Sequence, residues 1–313
     1  MPFTAKSGKF NASINTVEFG IGDKAVKIGG ENVFPLYSFD AAIENAPKVG
    51  IEITDFGMEH EPECIKKYYE GCATLADMAR KAASMEGVDF LSFRMEGGDP
   101  NGANKSTEEL IGELKEIADA VDLPLVVCGC KNVEKDAELF SKAAEALNGK
   151  NAVILSAKEE NYKTVGAAAG LAYKQIVGAE SAVDINLAKQ LNVLISQLGV
   201  DSKSVVMNVG SAAVGYGFEY VISTMDRVKA AALQQGDANL QMPIITPVAS
   251  EAWGVKEAMA SETDAPEWGS QEERGIDMEV ETAMAVIAAG SNAVILKHPE
   301  SIKIISGLMK ELV

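Results

Sequence analysis

Histidine is almost missing from this chain: His60 and His298 are the two in 313 residues, so a three-histidine metal centre cannot form. Cysteine is scarce as well. Cys64, Cys72, Cys128 and Cys130 include no C-x-x-C pair and no run of cluster ligands, and four thiols in a chain this long do not make the disulfide framework of a small secreted domain. They read as reduced thiols, and an iron-sulfur cluster held by this chain alone is not expected. Basic residues are outnumbered, 28 Lys and Arg against 46 Asp and Glu, for a formal charge of -18. Such a surface repels phosphate backbones and anionic lipid over about a Debye length, ~8 Å, so nucleic acid and membranes are poor partners. No apolar run approaches the ~20 residues that cross a bilayer, and the opening stretch MPFTAKSGKFNASINTVEF lacks the continuous apolar segment of a secretory leader. A cytoplasmic location is the expectation. No G-x-G-x-x-G, G-x-x-x-x-G-K-[ST] or G-x-S-x-G occurs, which removes the usual dinucleotide, nucleotide and hydrolase signatures.

What is present is the composition of an ordinary globular protein, 47% hydrophobic and 24% charged, laid out in alternation. Short β-branched runs at 49–54, 90–95, 125–129, 152–156, 175–179, 204–208, 243–248 and 293–298 interleave with helical periodicity at 106–121, 133–147, 184–198 and 219–233. Runs apolar on both faces suit strands buried between helices and a barrel interior. Eight βα units in succession predict a TIM (β/α)8 barrel, because an open doubly wound sheet more often stops at about five to seven strands. The first residues read differently. Within 10–38, VEFGIGDKAVKIGG alternates and carries Gly-Asp turn chemistry, which predicts a β-hairpin that plugs the barrel's bottom or packs on a partner. The expected organisation is an N-terminal extension at 1–45 and a barrel at 46–313. Residues 250–275, polar and holding both tryptophans, exceed a minimal βα loop and are expected to fold as an insertion or lid on the upper face.

Ligands of TIM barrels sit at the C-terminal ends of the strands, so the candidate face comprises Asp55, residues 96–104, 128–132, 156–161, Ser181, Asp184, 208–217, 246–251, Lys297 and His298. In GSAAVGYG the small residues Gly210, Ser211, Gly215 and Gly217 admit close approach of a flat ligand, and Tyr216 offers an aromatic face. The same glycines serve turn geometry and helix entry equally well. In EGGDPNGANKS, Asp99 and Asn101 can bond amides or a ring edge, though turn formation explains most of the segment. Asp184, Asn186 and Asn208 can read the edge of a pterin, while helix capping is the stronger account of Asp184. Thr246 completes the set. No catalytic nucleophile and no metal ligands are identified.

Eight strings run through the chain: GGDPNGANKS at 97–106, VEKD at 133–136, ENYK at 160–163, DINLAKQLN at 184–192, GYGFEY at 215–220, EAW at 251–253, EERG at 272–275 and KHPE at 297–300. In order and spacing they resemble the small subunit of corrinoid iron-sulfur proteins, related to the delta subunit of the archaeal acetyl-CoA decarbonylase/synthase. The resemblance covers nearly the whole chain, and ENYK and DINLAKQLN are far more specific than a lone glycine loop.

That resemblance implies a TIM-barrel subunit in a heterodimer. Its large subunit is expected to hold an Fe4S4 cluster and a cobalamin-binding domain, with the corrin between that domain and this barrel. A methyltransferase is expected to supply the methyl group from methyltetrahydrofolate, and CO dehydrogenase/acetyl-CoA synthase to receive it, in the reductive acetyl-CoA (Wood-Ljungdahl) pathway. This chain is then a scaffold and a wall facing the corrin rather than a catalyst. The main rival is a pterin-binding TIM-barrel methyltransferase acting on methyltetrahydrofolate, with Asp55, Asp184, Asn186 and Asn208 reading the pterin. A third reading is a structural subunit that touches only protein.

Overall fold

The structure, a computed structural model, describes residues 8–313. It opens with an antiparallel hairpin, β1 (Val17–Phe19) and β2 (Val26–Ile28), in which Val17 faces Ile28 and Phe19 faces Val26. Eight parallel strands follow: β3 (Lys48–Thr54), β4 (Phe90–Arg94), β5 (Leu125–Cys128), β6 (Val153–Ala157), β7 (Ile176–Glu180), β8 (Val205–Asn208), β9 (Ile244–Pro247) and β10 (Ser291–Leu296). Strand β10 pairs with both β9 and β3, which closes the barrel. The helices are α1 (Glu63–Lys66), α2 (Leu75–Ala83), α3 (Thr107–Ala120), α4 (Val133–Ala146), α5 (Tyr162–Val165), α6 (Ile185–Gln197), α7 (Phe218–Leu233), α8 (Ala249–Ala252), α9 (Lys256–Met259), α10 (Gln271–Ala289) and α11 (Pro299–Leu312). This is the TIM barrel expected from the sequence, and every barrel strand begins and ends within two residues of its apolar run.

The helices start where side-chain oxygens meet the free N–H groups of a first turn. Ser106 accepts from the Glu109 amide at 3.1 Å, Asn132 from Lys135 at 3.0 Å, and Asp184 from Asn186 at 2.8 Å. Thr74 and Asp77 form a reciprocal capping box on α2. After α5 the chain widens into a π-helical stretch, Gly166–Ala172. Gly166 and Gly170 lie there against Leu198 and Val200, leaving little room for a Cβ, so the small-residue run lets this segment approach the next unit.

Two apolar layers hold the barrel. One lies between strands and helices. The other fills the barrel, where Phe90, Val126, Val153, Ile176, Val206, Ile245 and Ala293 join Val17, Phe19, Val26 and Ile28 of the hairpin. The Phe19 ring meets Phe90 edge-on at 5.5 Å between centroids, and Gly50 has no room for a Cβ because the Phe90 ring occupies that space. The hairpin is fastened by Gly20 N–H to the Asn151 carbonyl at 2.7 Å and by Asn151 Nδ2 to the Glu18 carbonyl at 2.9 Å. Of the two sequence-derived roles for the hairpin, the structure therefore realises the plug. Among the described residues no helix is long and apolar enough to cross a membrane.

Residues 250–275 fold as two short helices, α8 and α9, and a 3-10 turn at Pro266–Trp268. Arg274 ties them down by donating to the carbonyls of Glu257 at 2.9 Å and Ala260 at 2.7 Å, while its guanidinium lies 5.6 Å from the Trp268 ring centre.

Candidate functional site

The ends of six consecutive strands, β4 to β9, place Arg94, Cys128, Ser156, Glu180, Asn208 and Pro247 around an open cleft of about 310 Å³ at the barrel mouth. A charged residue at the end of an apolar strand must find a partner before it is buried. Arg94 finds Glu52 of β3: Nε donates to Oε2 at 3.0 Å and Nη2 lies 2.8 Å from the same oxygen. On the rim Lys158 pairs with Glu180 at 3.3 Å and Lys131 with Glu251 at 3.2 Å. Asp136, reaching in from α4, accepts on Oδ1 from the Cys130 amide at 2.7 Å and from its thiol at 3.2 Å.

Burial dominates the titration of these groups. It pushes the Cys128 thiol up to about 11, against the pull of Arg94, and the Cys130 thiol up to about 12. Both sulfurs are protonated at neutral pH, so neither is a ready nucleophile. Burial likewise raises the Asp136 carboxyl above its ordinary range. Among the described residues no group of three or more His, Cys, Asp or Glu is arranged to hold a metal ion.

The residues singled out from the sequence separate into three sets. Asn208, Gly210 and Ser211 line the cleft. The Asn208 amide makes one bond through each polar atom, Nδ2 donating to Ser156 Oγ at 3.1 Å and Oδ1 accepting from Gly210 N at 3.1 Å. Gly215, Tyr216 and Gly217 lie on the same face but outside the cleft lining: the half-exposed Tyr216 donates its hydroxyl to Glu257 at 2.6 Å, and Gly217, at φ 78°, opens α7. Asp184 caps α6, Asn186 is exposed in its first turn, and Asp99 with Asn101 forms a local turn bond at 2.9 Å. Thr246 is fully buried and bonded to Ser291 Oγ at 2.8 Å. Asp55 accepts from Gly97 N at 2.9 Å and pairs with Lys105 at 3.1 Å. Of the charged groups at the cleft, Lys131 and Lys158 fall within the expected segments 128–132 and 156–161, whereas Arg94, its partner Glu52, Glu180 and Asp136 lie outside the expected face. A signal existed in the two interior strands, since FLSFR and KVGIEIT each bury one charge within an apolar run.

The Tyr216–Glu257 bond is exposed at both ends, where water competes for both groups and such bonds contribute little. Tyr216→Phe is expected to leave the urea midpoint nearly unchanged, and a clear loss would show that the rim loop is structurally coupled to the insertion.

Several of the eight strings turn out to be joints of the fold. Trp253 of EAW stacks on His298 of KHPE at 5.8 Å, and the Trp253 ring occupies the space a Cβ would take at Gly275 of EERG. Asn161 of ENYK donates to the carbonyl of Val133, the first residue of VEKD, at 3.2 Å. Asn192 of DINLAKQLN donates to the Asn239 carbonyl at 2.8 Å.

The sequence profile of the CO dehydrogenase/acetyl-CoA synthase delta subunit matches residues 16–309. The chain belongs to that family. It is 29% identical over 296 residues to the acetyl-CoA decarbonylase/synthase complex subunit delta 1 of Methanosarcina thermophila, covering 92% of this chain and 66% of that relative. To the subunit delta of Methanothermobacter thermautotrophicus it is 31% identical over 299 residues, covering 95% of this chain and 75% of the relative. The chain thus spans about two thirds of the first of these delta subunits. Among solved structures it is similar to dihydropteroate synthase from Thermus thermophilus in complex with 4-aminobenzoate, with a TM-score of 0.56, 12% identity, and coverage of 95% of this chain and 100% of that one. Dihydropteroate synthase from Xanthomonas albilineans gives a TM-score of 0.55 at 12% identity, covering 85% of this chain and 94% of that one. At such identities the likeness of the delta-family chain to these enzymes is one of fold, the TIM barrel.

Proposed function

We propose that this chain is the small subunit of a corrinoid iron-sulfur protein, capping a cobalamin held by a large partner subunit that also holds an Fe4S4 cluster. On this reading the cytoplasmic complex takes a methyl group from methyltetrahydrofolate through its methyltransferase and delivers it to CO dehydrogenase/acetyl-CoA synthase in the reductive acetyl-CoA pathway. Family membership supports a role as a subunit. The observation that carries the capping role is the make-up of the barrel mouth, an exposed apolar rim around a polar cleft whose charges are mostly spent on one another. Val183 and Tyr216, on the loops after β7 and β8, are 43% and 49% exposed, and Tyr220, in the first turn of α7, is 66% exposed, so the three put apolar surface together on this face.

The residues fit a corrinoid in a specific way. A cleft of about 310 Å³ stands at the low end of small-molecule pockets, ~300–1,000 Å³, and a whole corrin exceeds it. The ring is therefore assigned to the rim, where Val183, Tyr216 and Tyr220 supply apolar surface and Gly210, Gly215 and Gly217 permit close approach. When bound, the corrinoid supplies the cobalt that carries the methyl group. This chain's own contribution is to cover that face and exclude water, because its buried thiols are protonated and its cleft carboxylates are bonded within the protein.

The methyltransferase alternative depended on Asp55, Asp184, Asn186 and Asn208 as pterin-reading groups. Of these only Asn208 lines the cleft, so the four groups do not converge on one ligand edge. The test is to purify the chain alone and with its large partner, then record corrinoid absorbance and methyltetrahydrofolate binding by calorimetry. Corrinoid retained only by the complex, with no folate binding by the lone chain, is the expected result. Tight folate binding by the lone chain would make it a methyltransferase.

A further inference from the structure

The cleft is nearly balanced in charge, and that balance restricts what can enter it. Three cations, Arg94, Lys131 and Lys158, and three acids, Glu180, Glu251 and Asp136, line the cleft, and Glu52, outside the lining, pairs with Arg94. Three ion pairs account for all but Asp136, which is 4% exposed and bonded on one oxygen. A bare anion entering the cleft meets Asp136 and Glu180; a bare cation meets Arg94. A like-charge contact at 4 Å costs about 4 kcal/mol at an effective dielectric near 20. Either ion is therefore opposed.

Unused hydrogen-bonding capacity has a definite pattern as well. Arg94 Nε donates to Glu52 Oε2, whereas its buried Nη2, 2.8 Å from the same oxygen, completes no hydrogen bond among the described residues. Ser211 Oγ is buried without a partner among the described residues. Those are donors, while the second oxygen of Asp136 accepts no bond among the described residues. An uncharged head with a carbonyl to accept and an NH2 to donate matches both kinds of group.

Backbone strain gathers at the same place. Lys131, Ala182 and Val183 adopt φ of 70°, 43° and 60°, and all three line the cleft. A β-branched residue in that region costs about 1–3 kcal/mol and persists when its surroundings hold it. Val183 is held by its own N–H to the Val209 carbonyl at 2.8 Å and by Thr224 Oγ1 donating to its carbonyl at 3.1 Å. Strain maintained around a polar cavity is the arrangement of a ligand clamp.

We propose that the cleft is a socket for one uncharged primary carboxamide, the end group of a peripheral arm of the corrinoid that lies over the rim; this rests on the capping role proposed above. Arg94 and Ser211 receive the carbonyl, and Asp136 receives the NH2 group.

The test uses the complex of this chain with its large subunit, freed of corrinoid, and follows binding by corrin absorbance. The probes are cobinamide and its monocarboxylic derivatives, in each of which one peripheral amide is a carboxylate. One positional derivative is expected to bind at least about 10-fold more weakly than cobinamide, a difference of about 1.4 kcal/mol, and the others about equally to it. Asp136→Asn, which keeps an acceptor for Cys130 and removes the charge, is expected to narrow that gap. Ser211→Ala, a milder change, is expected to weaken cobinamide itself by about two- to fivefold, as loss of one modest hydrogen bond does. Equal binding of all derivatives, or a gap unchanged in both variants, overturns the socket and leaves the capping role intact. A complex that binds no cobinamide overturns the capping role and the socket with it.

Discussion

Lys229→Ala is expected to lower the unfolding free energy by about 3–5 kcal/mol, the scale found when one partner of a buried ion pair is removed. Lys229 is 1% exposed and Glu31 6%. Its ammonium donates to Glu31 Oε1 and to Asn292 Oδ1, both at 2.9 Å, and Asn292 Nδ2 donates to the same Glu31 oxygen at 2.8 Å. Asn292 in turn accepts from the Ile244 amide at 3.0 Å. One ammonium thus fixes the segment after the hairpin, helix α7 and the starts of β9 and β10. Burial alone pushes the Glu31 carboxyl up, but the Lys229 charge and the Asn292 bond overcome it, so the group ends below its ordinary value. Alanine leaves that carboxylate buried and uncompensated. Lys229→Met combined with Glu31→Gln removes both charges and is expected to recover more than half of the loss. Urea unfolding of the three proteins measures it, and a single-variant loss under about 1 kcal/mol would mean that water replaces the ammonium at little cost.

This bolt also shows where sequence reading stops. The eight strands were legible because each is a short run apolar on both faces, and that pattern arises locally from burial between helices and barrel interior. Asp184 was legible as a cap because it precedes its helix. The hairpin was legible by alternation, although only the packing of Phe19 on Phe90 decides between plug and partner contact. Glu31 and Lys229, in contrast, are 198 residues apart, and Glu52 and Arg94 are 42 apart. No local periodicity pairs such charges. The cleft is built mainly from residues of this kind, so the loop rich in glycine drew attention while the charged strand ends that line the mouth did not. Thr246 shows the reverse: its place at a strand end suggested the functional face, yet pleating turns it inward onto Ser291.

Two buried groups at the end of β10 are expected to give opposite pH dependences, which single substitutions separate. Glu279, fully buried on α10, accepts from the amides of Lys297 at 2.6 Å and His298 at 3.1 Å. Burial outweighs those bonds and pushes its carboxyl from an ordinary 4.5 up to about 7. His298 is buried between Trp253 and Tyr68, and its Nδ1 accepts from Glu300 N at 3.2 Å, a bond made only by the neutral ring. Burial, partly opposed by nearby Glu272, takes it from 6.5 down to about 4.

For Glu279 the folded state holds the proton more tightly, so its favourable contribution is complete below about pH 4.5 and is lost as pH rises through 7. For His298 the unfolded state holds the proton more tightly, so its contribution is complete above about 6.5 and is lost as pH falls through 4. Each amounts to about 3 kcal/mol at most, and between pH 4.5 and 6.5 they oppose one another. Relative to wild type, Glu279→Gln should therefore gain stability as pH is raised from 4.5 to 8, while His298→Asn should lose it as pH is raised from 4 to 7. The glutamine amide meets one backbone N–H and the asparagine leaves a cavity, so both curves carry a constant offset; the slopes carry the information. Urea midpoints across this range test the pair, and parallel wild-type and variant profiles would show that neither group titrates in a buried setting.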